Sequence, residues 1–227
     1  MFSKDPEYDA ILQMKQRRAL PMGFASDSDK EWCALFQNYL VRWALGMGRC
    51  AIFADTGLGK TRQLLSWALE VCLHTDGRVL ILAPLAVGPQ TVREARRVGL
   101  DCVVFARNPE DAGNAKIVVT NYDNLNKWSP LDFAGIGADE SSILKSEQGK
   151  TKRAICEFAS RVQYRVAATA TPSPNDIDEL CSHAEFLGIC TQAEMLATFF
   201  VNDTSDTGTW RLKGHAIKPF WDWVASW

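Results

Sequence analysis

Six short apolar runs recur between about residues 50 and 170: CAIFA (50–54), RVLILAP (78–84), CVVFA (102–106), KIVVT (116–120), DFAGIGAD (132–139) and YRVAATA (164–170). Their length and β-branched content suit strands, and their unbroken apolar character suits strands buried on both faces, as in a parallel sheet. The longer, more polar stretches between them predict helices at 60–74, 88–98, 150–161 and 176–187. Ahead of them GFASDSDKEW supplies Ser and Asp caps for a first helix at 32–45. Strand alternating with helix is the pattern of an open, mostly parallel α/β sheet with helices on both faces. After about residue 188 the alternation stops. FFVNDTSDTGTWRLKGHAIKPFWDWVASW is rich in aromatic and turn residues, predicts no further sheet unit, and closes in an amphipathic helix, KPFWDWVASW. A domain ending on an exposed aromatic helix is unusual, so the chain is expected to be the front part of something longer.

Composition narrows the class without naming a task. The chain has 227 residues, 47% of them hydrophobic and 23% charged, as one globular domain with a substantial core would have. A net charge of −2 leaves no global basic field to announce nucleic acid. The seven cysteines lack any C-x-x-C pair, which reads as free thiols in a reducing compartment and not as a disulfide frame or zinc site. The early acids of MFSKDPEYDA argue against a signal peptide, and no stretch approaches the ~18 continuous apolar residues of a membrane span. A cytoplasmic protein of a prokaryotic or phage-infected cell, without a membrane partner, is the expectation. His74, His183 and His215 are too far apart to suggest a metal set and are expected at surface or cap positions.

The strongest chemical signal is ADTGLGKT, residues 54–61, between the first apolar run and the first downstream helix. A phosphate loop needs glycines so that backbone N–H groups can turn toward an anion at a helix N-terminus. It also needs a lysine for the β- and γ-phosphates and a hydroxyl for Mg²⁺. Thr56, Gly57, Leu58, Gly59, Lys60 and Thr61 meet these needs, although Ala54 stands where the strict motif has its first glycine. Hydrolysis further requires one carboxylate on Mg²⁺ and one to orient water, and GIGADESS offers Asp139 and Glu140 directly after an apolar run. The bland readings, a glycine turn with a chance Lys-Thr and a solvated Asp-Glu turn, weaken when the two features occur together. ATP and Mg²⁺ are therefore the expected cofactors.

Further segments bring a resemblance. DESSILKS is similar to the D-E-x-H-x-I-K-N box of Swi/Snf-like helicases, a branch of helicase superfamily two (DEAD/DEAH-type), with Leu144 and Lys145 in register. TATPSPNDIDEL fits that family's T-G-T-P-x-x-N-x-x-x-E-L segment at Thr169, Thr171, Pro172, Asn175, Glu179 and Leu180. LFQNYLVRWAL resembles its adenine-recognition segment, with Gln37, Val41 and Trp43 in register. ILAPLAVGPQT and VVTNYDNL resemble its two DNA-contacting boxes, and the boxes keep the family order over residues 33–187. Ser142 replaces the box histidine, Ala170 a glycine and Thr91 a tryptophan.

The resemblance implies a RecA-like P-loop NTPase lobe over 31–190, an extension over 1–30, and an aromatic-rich segment over 191–227 leading toward a second lobe absent from this chain. That closing segment also looks like phage-type members of the family. The resemblance further implies that Gln37 reads adenine and that Lys60, Asp139 and Glu140 form the catalytic set, with Thr61 and Asp139 on Mg²⁺. Ser142, Thr169 and Thr171 would couple the site to DNA, and Pro84, Thr120, Asn121 and Lys145 would contact the DNA, taken as duplex and bound without sequence preference. The clusters Arg93/Arg96/Arg97 and Lys150/Lys152/Arg153 read instead as solvated helix faces, and Trp210, Trp221, Trp223 and Trp227 as core or lobe-interface packing. Two rivals remain at this stage: an unrelated P-loop ATPase or kinase, and a truncated, non-catalytic DNA- or protein-binding module.

Overall fold

The computed structural model describes residues 18–146, 150–173, 176–202 and 210–227, apart from the side chains of Lys145, Ser146, Lys150 and Thr151. Six strands form one parallel sheet in the order β1-β6-β5-β2-β4-β3. They are β1 (Arg49–Phe53), β2 (Val79–Ala83), β3 (Val103–Phe105), β4 (Ile117–Asn121), β5 (Gly135–Asp139) and β6 (Tyr164–Thr169). Each coincides with one of the six apolar runs, β1 beginning one residue before its run and β4 ending one residue after its run. Alternate side chains enter two separate cores, as the pleat requires. Val79, Ile81, Ile117, Val119 and Val166 pack under α1 (Leu35–Met47), α2 (Lys60–Thr75) and α3 (Gly88–Arg97). Leu80, Leu82, Val118, Ile136 and Ala167 face the opposite layer.

That opposite layer holds α6 (Lys150–Ser160), α7 (Leu180–Leu187) and much of the closing segment. The short helices α4 (Pro109–Ala112) and α5 (Ile143–Ser146) occupy connections. Among the described residues no helix is long and apolar enough to cross a membrane. None of the seven cysteines is in a disulfide.

Helix α2 sits on β5 through one large side chain. Trp67 is fully buried, and a Cβ on Gly135 would meet Val71 Cγ1 at 3.1 Å, Trp67 Cη2 at 3.2 Å and Val79 Cγ2 at 3.2 Å. A Cβ on Gly137 would find Val166, Leu64 and Trp67 at 3.4–3.7 Å, an ordinary contact. The GIG of β5 therefore makes room for the indole, and the helix that follows the phosphate loop is seated directly on the strand that carries the acidic pair.

Element boundaries differ from the expectations for local reasons. The run 132–139 becomes strand only at Gly135, because Pro130–Asp132 form a 3₁₀ turn whose Leu131 N–H donates to Ser129 Oγ. The helix expected at 176–187 divides into a 3₁₀ turn, Ile177–Glu179, and α7. The first helix starts at Leu35 and not at 32, and residues 22–24 run beside its end. The N–H groups of Met22, Gly23 and Phe24 donate to the carbonyls of Met47, Gly46 and Leu45 at 3.0–3.1 Å, pairing acceptors the last turn of a helix leaves free.

The closing segment corrects one expectation and bears out another, the core packing expected of Trp223 and Trp227. Thr191 and Glu194 cap α8 (Gln192–Phe199) reciprocally, and β7 (Phe200–Asn202) then pairs antiparallel with β8 (Trp210–Leu212), a small sheet unit the sequence pattern did not predict. Helix α9 (Ile217–Val224) is not an exposed aromatic end: Phe220, Trp223 and Trp227 are at most 3% exposed and join the core on the α6–α7 face, while Trp221 is 45% exposed. Three-residue strands and an aromatic run give too little periodicity for the hairpin to be recognised from sequence.

His183 is a further correction. His74 and His215 are exposed, but His183 is 1% exposed on α7, its Nε2 is 3.1 Å from the Pro172 carbonyl, and its ring meets Phe53 edge-on. Burial pulls its pKa from 6.5 down to about 4, against smaller opposing effects of the Pro172 carbonyl and Glu179. Arg165, also buried, is satisfied by the carbonyls of Val162, Phe186 and Ser160 and so joins β6 to the ends of α6 and α7.

Two predictions arise from this packing. Gly135→Val should destabilise the fold by about 1–3 kcal/mol in urea unfolding, from overpacking, whereas Gly137→Ala should be close to neutral. His183 binds its proton more tightly when unfolded, so its contribution is complete above pH 6.5 and is lost as pH falls from 6.5 toward 4. The loss should reach at most about 3 kcal/mol. Unfolding at several pH values should show that acid limb in the parent chain and a flatter one in His183→Gln.

Candidate nucleotide site

The ends of β1, β6 and β5 meet at one edge of the sheet. Phe53 is in register with Thr169, and Asp139 with Ala168, so the loop after β1, the acidic pair after β5 and the TATP segment after β6 emerge side by side. In open α/β sheets this carboxyl end is where ligands bind. The sheet order thus joins segments more than a hundred residues apart in the chain, Phe53 and Thr169 among them.

The loop between β1 and α2 turns on two left-handed glycines, Gly57 at φ 82° and Gly59 at φ 75°. Gly59 is constrained twice, since a Cβ there would lie 2.3 Å from Gln37 Nε2. Ala54, by contrast, is buried at the strand end and has no positive φ, so the missing first glycine of the motif leaves the turn intact. Lys60 opens the 16-residue α2 and is 9% exposed, with Nζ donating to the carbonyls of Ala54 at 3.1 Å and Asp55 at 3.4 Å. Thr61 follows it, half-buried at the helix start.

Gln37 reaches this loop from α1. Its Nε2 donates to the Leu58 carbonyl at 2.9 Å, and its Oε1 accepts from the Ala34 N–H at 2.9 Å. Gln63 donates to the same carbonyl at 3.0 Å and is fully buried. Gln63 was missed from sequence; the available signal was a polar residue on the inner face of α2, one turn after Lys60. Two amides on one carbonyl fix the crown of the loop.

Asp139 ends β5 and is 4% exposed, and its Oδ1 accepts from the Glu140 N–H at 3.1 Å. Burial pushes its pKa from 3.8 up to about 6; the Glu140 charge adds to this, and the Glu140 N–H and the Lys60 ammonium oppose it. Lys60 and Asp139 therefore share one electrostatic site. Glu140 takes φ 51°, a left-handed conformation that side-chain-bearing residues rarely adopt. Ser142 is half-buried just beyond it. Thr169 is fully buried, its Oγ1 accepting from the Thr171 N–H at 3.1 Å, while Thr171 itself is exposed.

The expected DNA contacts divide. Pro84 is half-buried where the chain leaves β2. Asn121 is 7% exposed, its amide donating to Asp123 Oδ2 at 3.3 Å and its carbonyl oxygen accepting from Asn124. Thr120 is a correction: it is fully buried, so its hydroxyl faces the protein interior and not a duplex. The side chain of Lys145 and all of Asn175 lie outside the described residues. Arg97 pairs with Glu94 on an exposed face, whereas the Lys152 side chain is only 16% exposed and lies 2.9 Å from Glu185 on α7, so it is not on a solvated face.

These residues fit a magnesium nucleotide. The loop and the start of α2 suit phosphate, and the Thr61 hydroxyl with the Asp139 carboxylate supplies hard oxygen ligands. Among the described residues no cluster of three His, Cys, Asp or Glu side chains could cage an ion by itself. A Mg²⁺ ion here would need the nucleotide's own phosphates and water to complete its shell, its usual habit.

Residues 36–206 match the model of the SNF2-related domain. The chain is 30% identical over 178 residues to protein p41 of Acyrthosiphon pisum secondary endosymbiont phage 1, covering 67% of this chain and 38% of p41. It is 29% identical over 203 residues to YwqA of Bacillus subtilis, named as an ATP-dependent helicase/translocase, covering 78% of this chain and 21% of YwqA. The fold resembles the Sulfolobus solfataricus SWI2/SNF2 ATPase core domain, with TM-score 0.61 and 23% identity over 79% of this chain and 42% of that one. The same core in complex with dsDNA gives TM-score 0.57 and 20% identity, over 80% of this chain and 45% of that one. The chain thus spans less than half the length of these relatives. A RecA-like sheet, a phosphate loop facing an acidic pair, and a domain match over most of its length make this chain a member of the SNF2-related, Swi/Snf-like branch of helicase superfamily two.

Proposed function

We propose that this chain is the ATP-binding lobe of a Swi/Snf-like DNA translocase or helicase that hydrolyses ATP to ADP and phosphate in a two-lobed motor. The observation that carries this reading is the emergence of the phosphate loop with Lys60 after β1 and of Asp139 and Glu140 after β5 at the same end of the sheet. Bound Mg²⁺ would neutralise charge on the transferring phosphoryl group. Lys60 would turn from the Ala54 and Asp55 carbonyls to the β- and γ-phosphates, Thr61 and Asp139 would hold the metal, and Glu140 would orient the attacking water. Gln37, already set against the crown of the loop, would meet the adenine edge. Pro84, Asn121 and Lys145 would face the DNA backbone, and Ser142, Thr169 and Thr171 would tie that contact to the nucleotide. The dsDNA bound by the archaeal core supports a duplex as the track, and the phage relative supports a prokaryotic or phage setting.

An arginine finger, which contributes about 10³–10⁵ in rate, belongs to the second lobe of the motor in this reading. The chain alone should bind ATP·Mg but turn it over barely above background, with or without duplex DNA, and Lys60→Ala should abolish binding in calorimetry. Brisk, DNA-stimulated, Lys60-dependent turnover would show that the lobe completes its site unaided. No binding at all would favour a non-catalytic module.

The buried Asp139 should also cost stability. Its folded pKa lies above the ordinary value, so at neutral pH folding opposes its charge, and the penalty is relieved as pH falls from about 6 to 3.8. Asp139→Asn should therefore raise stability by up to about 3 kcal/mol in metal-free urea unfolding at pH 7.5, while weakening ATP·Mg binding.

A further inference from the structure

Tyr122 follows β4 directly and has no place in the chemistry assigned above. It is 5% exposed, and its hydroxyl donates to the Asp139 carbonyl at 2.8 Å. Strand β2 lies between β4 and β5 in the sheet, so the side chain crosses the end of β2 to reach the acidic strand. Its base is a fixed turn, with Asn121 bonded to both Asp123 and Asn124.

The peptide it holds needs holding. Glu140 has φ 51°, and among the described residues Asp76 alone shares a positive φ without being glycine. A carbonyl free to rotate there would let the Asp139–Glu140 peptide relax and swing both carboxylates. One side of the turn is fixed by the Ser141 N–H, which donates to the Ala168 carbonyl on β6 at 3.0 Å. Tyr122 fixes the other side, and the plane of the peptide between the two carboxylates is set by both.

We propose that Tyr122 is the positioning residue of the acidic pair: its hydroxyl holds the Asp139–Glu140 peptide so that Asp139 faces the Mg²⁺ of a bound nucleotide. This rests on the ATP reading above. In this role Tyr122 acts through the Asp139 carbonyl and not by direct contact with nucleotide or metal. A side chain of this kind tunes metal affinity while leaving phosphate contacts alone.

The test is ATP affinity of the whole chain, measured with MgCl₂ and again with EDTA, for the parent, Tyr122→Phe and Asp139→Asn. The phenylalanine removes one oxygen and keeps the ring that packs the core, so thermal unfolding should remain cooperative. Tyr122→Phe should weaken ATP binding in Mg²⁺ by roughly tenfold and leave the EDTA value unchanged, approaching Asp139→Asn. Retention of the full Mg²⁺ effect by Tyr122→Phe overturns the proposal, as does an equal loss with and without Mg²⁺, which is what general loosening of the fold would give. Failure of the parent to bind ATP at all overturns the nucleotide reading and this proposal with it, and is separable because it appears before any variant is compared.

Discussion

The seating of Trp67 on Gly135 fixes the distance between the phosphate loop and the acidic pair, and the candidate site depends on it. Helix α2 begins with Lys60 and β5 ends with Asp139, so any shift of one against the other opens the site. The indole can lie this close to the strand because Gly135 and Gly137 offer no side chain on that face, while Ile136 points into the other core. The two glycines cost β-strand propensity. The buried indole and its apolar neighbours Leu64 and Val71 offset that cost through area removed from water.

Around that fixed distance the edge of the sheet holds features that a fold optimised only for stability would avoid. Asp139 is a carboxylate taken out of water beside a second carboxylate, and Glu140 carries a side chain at a left-handed backbone position. Gln63 Oε1, Thr120 Oγ1 and Ser141 Oγ are buried without a hydrogen-bond partner close to the same edge. Backbone strain, a buried carboxylate and unpartnered polar atoms thus coincide at this edge, although unpartnered atoms such as Trp67 Nε1 and Trp128 Nε1 also occur elsewhere in the core. Away from that edge the sheet is mostly Val, Ile, Leu and Ala, with Tyr164 and Arg165 buried at the start of β6.

The closing segment is continuous with this edge. Trp227 meets Phe53 at 6.2 Å between ring centroids, Phe53 meets His183 at 5.4 Å, and His183 holds the Pro172 carbonyl in the TATP segment. The Ala19 N–H donates to Ser226 Oγ, so the chain before α1 is tied to the same closing turn. The aromatic residues after 188 are thus a wall of the lobe that reaches the strand leading into the phosphate loop.

The sequence by itself determined the six parallel strands, the helices on both faces, the phosphate loop and the acidic pair, because each rests on local periodicity or on adjacent residues with a shared task. Short continuous apolar runs rich in β-branched residues suit strands buried on both sides, and G-L-G-K-T carries its turn and its charge within a few positions. What only the tertiary structure decided depends on neighbours far apart in the chain. The hairpin of β7 and β8 is too short to show a period. The burial of His183, Arg165 and Thr120 follows from what packs over them and not from residue type. The convergence of Gln37 and Gln63 on Leu58 follows from the packing of α1 beside α2, and that of Tyr122 on Asp139 from the order of strands in the sheet. A polar side chain near a strand end looks the same in sequence whether it faces solvent, a ligand or a carbonyl across the sheet, and only the packing of distant elements removes the water that would make those cases equivalent.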